Sequence, residues 1–169
     1  MFTYMVAGIV GLIILLIMSQ KGFGSTMKNT ANFTVGDWIN FYSKIYNVPT
    51  ALIKAIIENE SSYNQYSKNP NDPSYGLMGV MPIVFYEAGL CKDYNNPTEE
   101  EIKNFYDASN NIRAGTKLLA KLYHKYELIV AIQMYNVGER GYNELGYRNS
   151  TYLNKVIDDY SKYLGEENV

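Results

Sequence analysis

The chain has 169 residues, with 15 basic and 17 acidic side chains and a formal net charge of −2. This length suits one domain with a short appendage, and the chain lacks the basic stripe of nucleic-acid-binding proteins, so we expect no nucleic-acid partner. The single cysteine, Cys91, excludes an intrachain disulfide. The single histidine, His124, argues against a zinc site and against a Cys–His nucleophile, and no cofactor is expected.

The first twenty residues differ from the rest of the chain. Residues 1–20 carry no charged side chain, and residues 5–18 form a continuous apolar run. Twenty helical residues span about 30 Å, the thickness of a bilayer core. The basic start and small-residue cleavage site of a signal peptide are missing. We therefore predict a single transmembrane helix at 1–20 that anchors the chain in a lipid bilayer, a flexible tether at 21–34 and one folded domain at 35–169.

The charges that follow the apolar run bear on its orientation. Lys21 and Lys28 come after the run, and only the amino terminus precedes it. The positive-inside rule therefore favours a cytoplasmic domain, whereas a substrate outside the cell would require the opposite orientation.

The remaining sequence predicts helices separated by glycine, proline and asparagine. Thr98 followed by Glu101 is typical of a capping box at a helix start. Gly138 and Gly141 are expected to break the chain. No alternating pattern is long enough for a sheet, so the predicted class is all-α, with room for a minor hairpin in the loop. The predicted helices cover residues 37–46, 49–61, 82–88, 98 onward, 109–126, 127–135 and 151–163, with a loop at 65–75.

One carboxylate interrupts an apolar helix face. Ile53, Ile56, Ile57 and Glu60 lie at i, i+3, i+4 and i+7, so Glu60 should face the interior near the end of its helix. Desolvation and the negative end of the helix dipole would both raise its pKa, which suits a general acid near neutral pH. Glu58, about 200° around the helix, should point to solvent with an ordinary pKa. The alternative is that Glu60 is a structural helix-end carboxylate.

Five short motifs extend this pattern along the chain. They are Ala55-Ile56-Ile57 with Glu60-Ser61, Gly76-Leu77-Met78 with Met81-Pro82, Asn111-Ile112-Arg113-Ala114-Gly115, Tyr135-Asn136-Val137-Gly138 and Tyr152-Leu153-Asn154-Lys155-Val156. In this order and spacing they resemble the soluble-lytic-transglycosylase (SLT) domain family, lysozyme-like enzymes that act on peptidoglycan. The resemblance covers roughly residues 35–160 and implies a lysozyme-like all-α domain.

The resemblance implies a role for each matching position. Glu60 would be the sole catalytic acid and base, and Tyr152 would orient it. The implied substrate-binding residues are Ser61, Met78, Tyr135, Asn136 and Tyr152, although core packing is an alternative for Met78. One departure concerns Gly79, because the family usually has a substrate-contacting glutamine there.

The implied activity is cleavage of the bond between N-acetylmuramic acid and N-acetylglucosamine, with closure of a 1,6-anhydro ring. Three alternatives stay open: a muramidase on the same fold, an inactive membrane-tethered glycan-binding protein, and a membrane-active protein that works through its first twenty residues. The expected location is a membrane anchor with the domain facing the periplasm or wall. A phage virion or a secretion system is a further expected setting and would supply protein partners.

Overall fold

The computed structural model describes residues 33–167. Between these residues the secondary structure is helical, with only isolated bridges that pair Tyr75 with Lys68 and with Val80. The predicted all-α class is therefore confirmed for this part of the chain. The helices are α1 (Val35–Tyr46), α2 (Thr50–Ser61), α3 (Pro82–Glu87), α4 (Glu99–Phe105), α5 (Ala108–Tyr123), α6 (Leu128–Val137), α7 (Glu139–Asn143) and α8 (Ser150–Glu167).

The predicted membrane anchor at 1–20 and nearly all of the predicted tether lie outside the described residues. Both stay predictions, as does the domain division built on them. Among residues 33–167, no helix combines the length and the apolar character needed to cross a bilayer.

Helix α2 is the centre of the core. Six of its residues are completely buried, namely Ala51, Leu52, Ile53, Ala55, Ile56 and Ile57. The helix begins at Thr50, one residue later than predicted, and Pro49 directly precedes it. At the other end Ser62 adopts a left-handed conformation with φ 47°, and its N–H donates to the carbonyl of Glu58. In the described part of the chain, the contact between α8 and α2 is the most extensive of all helix pairs.

Two other helix boundaries test the sequence-based expectations. The capping box is confirmed, because Glu101 N–H donates to Thr98 Oγ1 and Thr98 N–H donates to Glu101 Oε2. The expected chain break at Gly141 is wrong, because Gly141 lies within the short helix α7. Gly138, with φ +77°, does end α6, and a new helical turn begins at the next residue.

A buried amide holds the glycine-containing loop between α2 and α3. Asn111 Oδ1 accepts from Met78 N–H at 2.8 Å, and Asn111 Nδ2 donates to the carbonyls of Tyr75 and Phe105 at 2.8 and 2.9 Å. Gly76 has φ +74°, and a Cβ atom there would overlap the Asn111 amide. The loop therefore takes its shape from Asn111, which projects from the first turns of α5.

We predict that Asn111→Ala lowers the free energy of unfolding by about 3 kcal/mol, because three buried backbone groups lose a hydrogen bond and the Tyr75 carbonyl keeps only its bond from Val80 N–H. Urea titration followed by circular dichroism measures the change. The matched control is Asn110→Ala, which removes a neighbouring amide whose side-chain bond to Asn104 O is long, at 3.4 Å. Equal losses in the two variants would contradict the proposed importance of the Asn111 amide.

Candidate active site

A polar cleft opens over the last turn of α2. It has a volume of about 330 Å³, and its walls include Glu60, Gly76, Asn136 and Tyr152. A second, more apolar cleft of about 330 Å³ is lined by Tyr135, among others. Gly79 and Asn136 line both clefts. The two clefts therefore adjoin and can hold an extended ligand that passes beside Glu60.

Glu60 is the penultimate residue of α2, as the sequence predicts. The hydroxyl of Tyr152 donates a hydrogen bond of 2.6 Å to Glu60 Oε1. Burial raises the pKa of Glu60 to about 7, the Tyr152 hydrogen bond lowers it in part, and the Asp72 carboxylate raises it. The predicted rise in pKa is confirmed. Near neutral pH this carboxyl group can both give up and take back a proton.

Glu58 occupies a different face of α2 but is not freely exposed. It is half-buried, and its Oε2 accepts a 3.4 Å hydrogen bond from the Tyr163 hydroxyl on α8. The prediction that Glu58 points to solvent is therefore wrong, because α8 covers that side of α2. Glu58 does not line the cleft that contains Glu60.

The backbone at Gly79 lies directly against the Glu60 carboxyl group. A Cβ atom at Gly79 would overlap Glu60 Oε2 and lie 3.0 Å from Glu60 Cδ. Gly79 also has φ +58°, a conformation that L side chains rarely adopt. The glycine therefore allows close approach of the loop, which removes water from one side of the carboxyl group.

Two of the predicted substrate-binding residues, Ser61 and Met78, contribute to the packing between α2, the loop and α5. Ser61 Oγ lies 2.8 Å from the carbonyl of Leu77 and 3.1 Å from that of Ile57, so its hydroxyl ties α2 to the loop. Met78 is completely buried against Gly115 of α5. The Met78 side chain points into the core, which matches the packing alternative for this residue.

The other predicted binding residues converge on the cleft from α6 and α8. Tyr135 donates a 2.8 Å hydrogen bond to the carbonyl of Met78, which fixes the tyrosine against the loop. Asn136 is exposed at the junction of the two clefts. Burial, together with the nearby Glu60 carboxylate, raises the pKa of Tyr135 and Tyr152 well above the ordinary value. Both hydroxyls therefore stay protonated and act as hydrogen-bond donors.

One residue that joins these elements, Asn149, is not among the predicted site residues. Asn149 lies just before α8 and contacts Gln133, Asn136 and Tyr152 through hydrogen bonds. An asparagine immediately before a helix is a known start signal. The helix begins at Ser150, whereas the sequence pattern predicts a start at residue 151, so Asn149 is not adjacent to the predicted helix.

Comparison with known proteins gives one family and a group of relatives. The family model described as "Transglycosylase SLT domain" matches residues 37–157. The relatives include "Membrane-bound lytic murein transglycosylase C" from Yersinia enterocolitica, 34% identical over 48% of this chain and 22% of the relative. The protein of the same name from Klebsiella pneumoniae (strain ATCC 700721 / MGH 78578) is 34% identical over 50% of this chain and 23% of the relative.

The chain matches less than a quarter of the length of these relatives. The family match, by contrast, extends over most of the chain and includes Glu60, Gly79, Asn136 and Tyr152. The chain belongs to the transglycosylase SLT domain family.

Proposed function

We propose that this protein is a peptidoglycan lytic transglycosylase that cleaves the β-1,4 bond between N-acetylmuramic acid and N-acetylglucosamine. The observation that carries the proposal is Glu60, a carboxyl group with a pKa of about 7 beside an open cleft. The names of the relatives, which are lytic murein transglycosylases, support the same substrate class.

In the proposed reaction Glu60 acts twice. Its protonated carboxyl first gives a proton to the glycosidic oxygen, and the bond from that oxygen to C1 of the muramic acid breaks. The substrate's own acetamido group stabilises the positive charge at C1. The Glu60 carboxylate then removes the proton of the C6 hydroxyl, whose oxygen bonds to C1 and closes the 1,6-anhydro ring. Attack within one sugar has a high effective concentration, and Glu60 finishes protonated, ready for another cycle.

Tyr152 suits this double role of Glu60. Its hydroxyl donates to Glu60 Oε1, and a hydrogen bond of this kind is stronger when the acceptor is ionised. The bond therefore stabilises the carboxylate formed after the first step, while burial favours the acid needed before it. These opposing effects keep both protonation states accessible near neutral pH.

A muramidase on the same fold is the main alternative, and Asp72 is the observation that favours it. Asp72 is the carboxylate whose charge raises the pKa of Glu60, and a hydrolase needs a second carboxylate to activate water. However, Asp72 already accepts hydrogen bonds from Asn69 Nδ2 and Ser74 N–H within its own loop. Its side chain is thus held by the loop, which favours the transglycosylase.

We further propose that the domain acts on the wall side of a membrane to which the protein is attached. The apolar composition of residues 1–20 and the words "membrane-bound" in the names of the relatives support this location.

We predict that Glu60→Gln lowers the rate of peptidoglycan solubilisation by roughly three orders of magnitude, because the amide can neither give nor take the proton. Glu58→Gln, an identical change two residues away, should keep the parent rate. Mass spectrometry of the products should show muropeptides one water lighter than those with reducing ends. Unchanged clearing by Glu60→Gln would contradict the proposed acid, and reducing-end products would favour the muramidase.

We predict that Tyr152→Phe moves the basic limb of the pH–rate profile to higher pH. The lost hydrogen bond had lowered the pKa of Glu60, so the acid stays protonated to a higher pH without it. The rate at the optimum should fall roughly tenfold as one charge-assisted hydrogen bond is lost. Tyr163→Phe on the same helix removes the hydroxyl that contacts Glu58 and serves as control. A profile that does not move, or moves to lower pH, would refute this effect.

We predict that Gly79→Ala lowers the free energy of unfolding by about 2 kcal/mol more than Gly146→Ala, because it adds overpacking to backbone strain. Gly146 has φ +69° and no neighbouring atom within 4 Å of an added Cβ, so it reports strain alone. In a Glu60→Ala background the excess cost of Gly79→Ala should largely disappear. Chemical denaturation of Gly79→Ala, Gly146→Ala, Glu60→Ala and the double variant Glu60→Ala/Gly79→Ala measures this coupling. If Gly79→Ala costs as much stability in the Glu60→Ala background as in the parent, Glu60 is not the clashing group.

A further inference from the structure

Asn149 connects the glycan-facing end of α6 to the start of α8. Its backbone N–H donates to Gln133 Oε1 at 2.8 Å, and Gln133 is itself buried, with 5% of its surface exposed. Its side-chain Nδ2 donates to Asn136 Oδ1 at 2.9 Å. Its side-chain Oδ1 accepts from Tyr152 N–H at 3.0 Å. All polar atoms of the Asn149 side chain are thus used within the site.

These contacts determine which way two amides point. The Tyr152 backbone N–H can only donate, so the oxygen of Asn149 must face it. The Asn149 amino group must then face Asn136, and it can only donate, so Asn136 presents its oxygen to Asn149. Because Asn136 is exposed at the cleft, its own amino group is left to face the ligand.

We propose that Asn149 is a positioning residue that sets Asn136 as a hydrogen-bond donor toward the substrate. The inference rests on the proposed function and adds a specificity element to it. The group that Asn136 Nδ2 recognises is an acceptor oxygen of the glycan, such as an amide carbonyl, and not a hydroxyl or amide acting as donor.

The same side chain also affects the acid. By accepting the Tyr152 N–H, Asn149 caps the first turn of α8 and fixes the backbone from which the Tyr152 hydroxyl reaches Glu60. One residue therefore couples the amide that contacts the glycan to the tyrosine that holds the acid. The two functions of Asn149 use different atoms, so they can be separated by substitution.

The decisive variant is Asn149→Asp, which keeps the shape and the cap. One carboxylate oxygen can still accept the Tyr152 N–H, and a carboxylate is favourable at a helix start. The other oxygen now faces Asn136 Oδ1, so Asn136 must rotate and offer its oxygen to the substrate. We expect KM to rise roughly tenfold, the effect of losing one good hydrogen bond, with kcat at the pH optimum and the thermal midpoint close to the parent.

Two further variants complete the comparison. Asn154→Asp adds the same charge at an exposed position on α8 and should leave KM unchanged. Asn149→Ser keeps an acceptor for the Tyr152 N–H but leaves Asn136 without its fixed partner, so its KM should lie between those of the parent and Asn149→Asp. If Asn149→Asp has the KM of Asn154→Asp, the inference is wrong.

A spectroscopic measurement separates this inference from the proposed function. In Asn149→Asp the side-chain amino protons of Asn136 should hydrogen-bond the new carboxylate, and their nuclear magnetic resonance signals should shift, while Asn154→Asp leaves them in place. This readout needs no substrate, so it stands even if the parent protein fails to cleave peptidoglycan. Asn136 signals that do not change in Asn149→Asp would overturn the proposed orientation.

Discussion

The three hydrogen bonds of the buried Asn111 amide are the constraint on which the candidate site depends. They fix the loop from Tyr75 to Met78, which leads directly to the backbone that lies against the acid. Its Leu77 and Met78 carbonyls receive the hydroxyls of Ser61 and Tyr135, and the next residue, Gly79, lies against the Glu60 carboxyl group. The desolvation that gives Glu60 its high pKa thus begins with an amide on another helix that never touches the cleft.

This arrangement has an energetic cost that depends on pH. The pKa of Glu60 is about 7 in the folded protein and about 4.5 without the fold, so the folded state holds the proton more tightly. Stability from this group is therefore complete below the lower pKa and is lost as the pH rises through the upper one. The difference corresponds to about 3 kcal/mol of folding free energy. Ionisation of the buried Glu60 therefore lowers the free energy of unfolding. The fully buried face of α2 and its long contact with α8 offset this loss.

The sequence predicts the parts of the molecule that follow from local periodicity. The helical spacing of Ile53, Ile56 and Ile57 correctly identifies the core face of α2 and gives the chemical environment of Glu60. Local pattern does not give side-chain direction in a loop, so the sequence alone leaves open whether Met78 faces the groove or the core. It also does not give contacts between distant segments. Glu58 is covered by α8, and Asn149 contacts Gln133 and Asn136 only when α6 and α8 meet, so neither of these contacts could be predicted from neighbouring residues.

The pairing of Tyr152 with Glu60 joins positions 92 residues apart, and the Thr50–Glu167 contact at the other end of the same helix pair joins positions 117 apart. Pairing of segments so far apart in the sequence is slow, and α8 is the last described helix in chain order. A nascent chain that has synthesised α2 and its loop still lacks Tyr152, whose hydroxyl donates the hydrogen bond to Glu60. A chain that ends before α8 therefore cannot assemble the complete site.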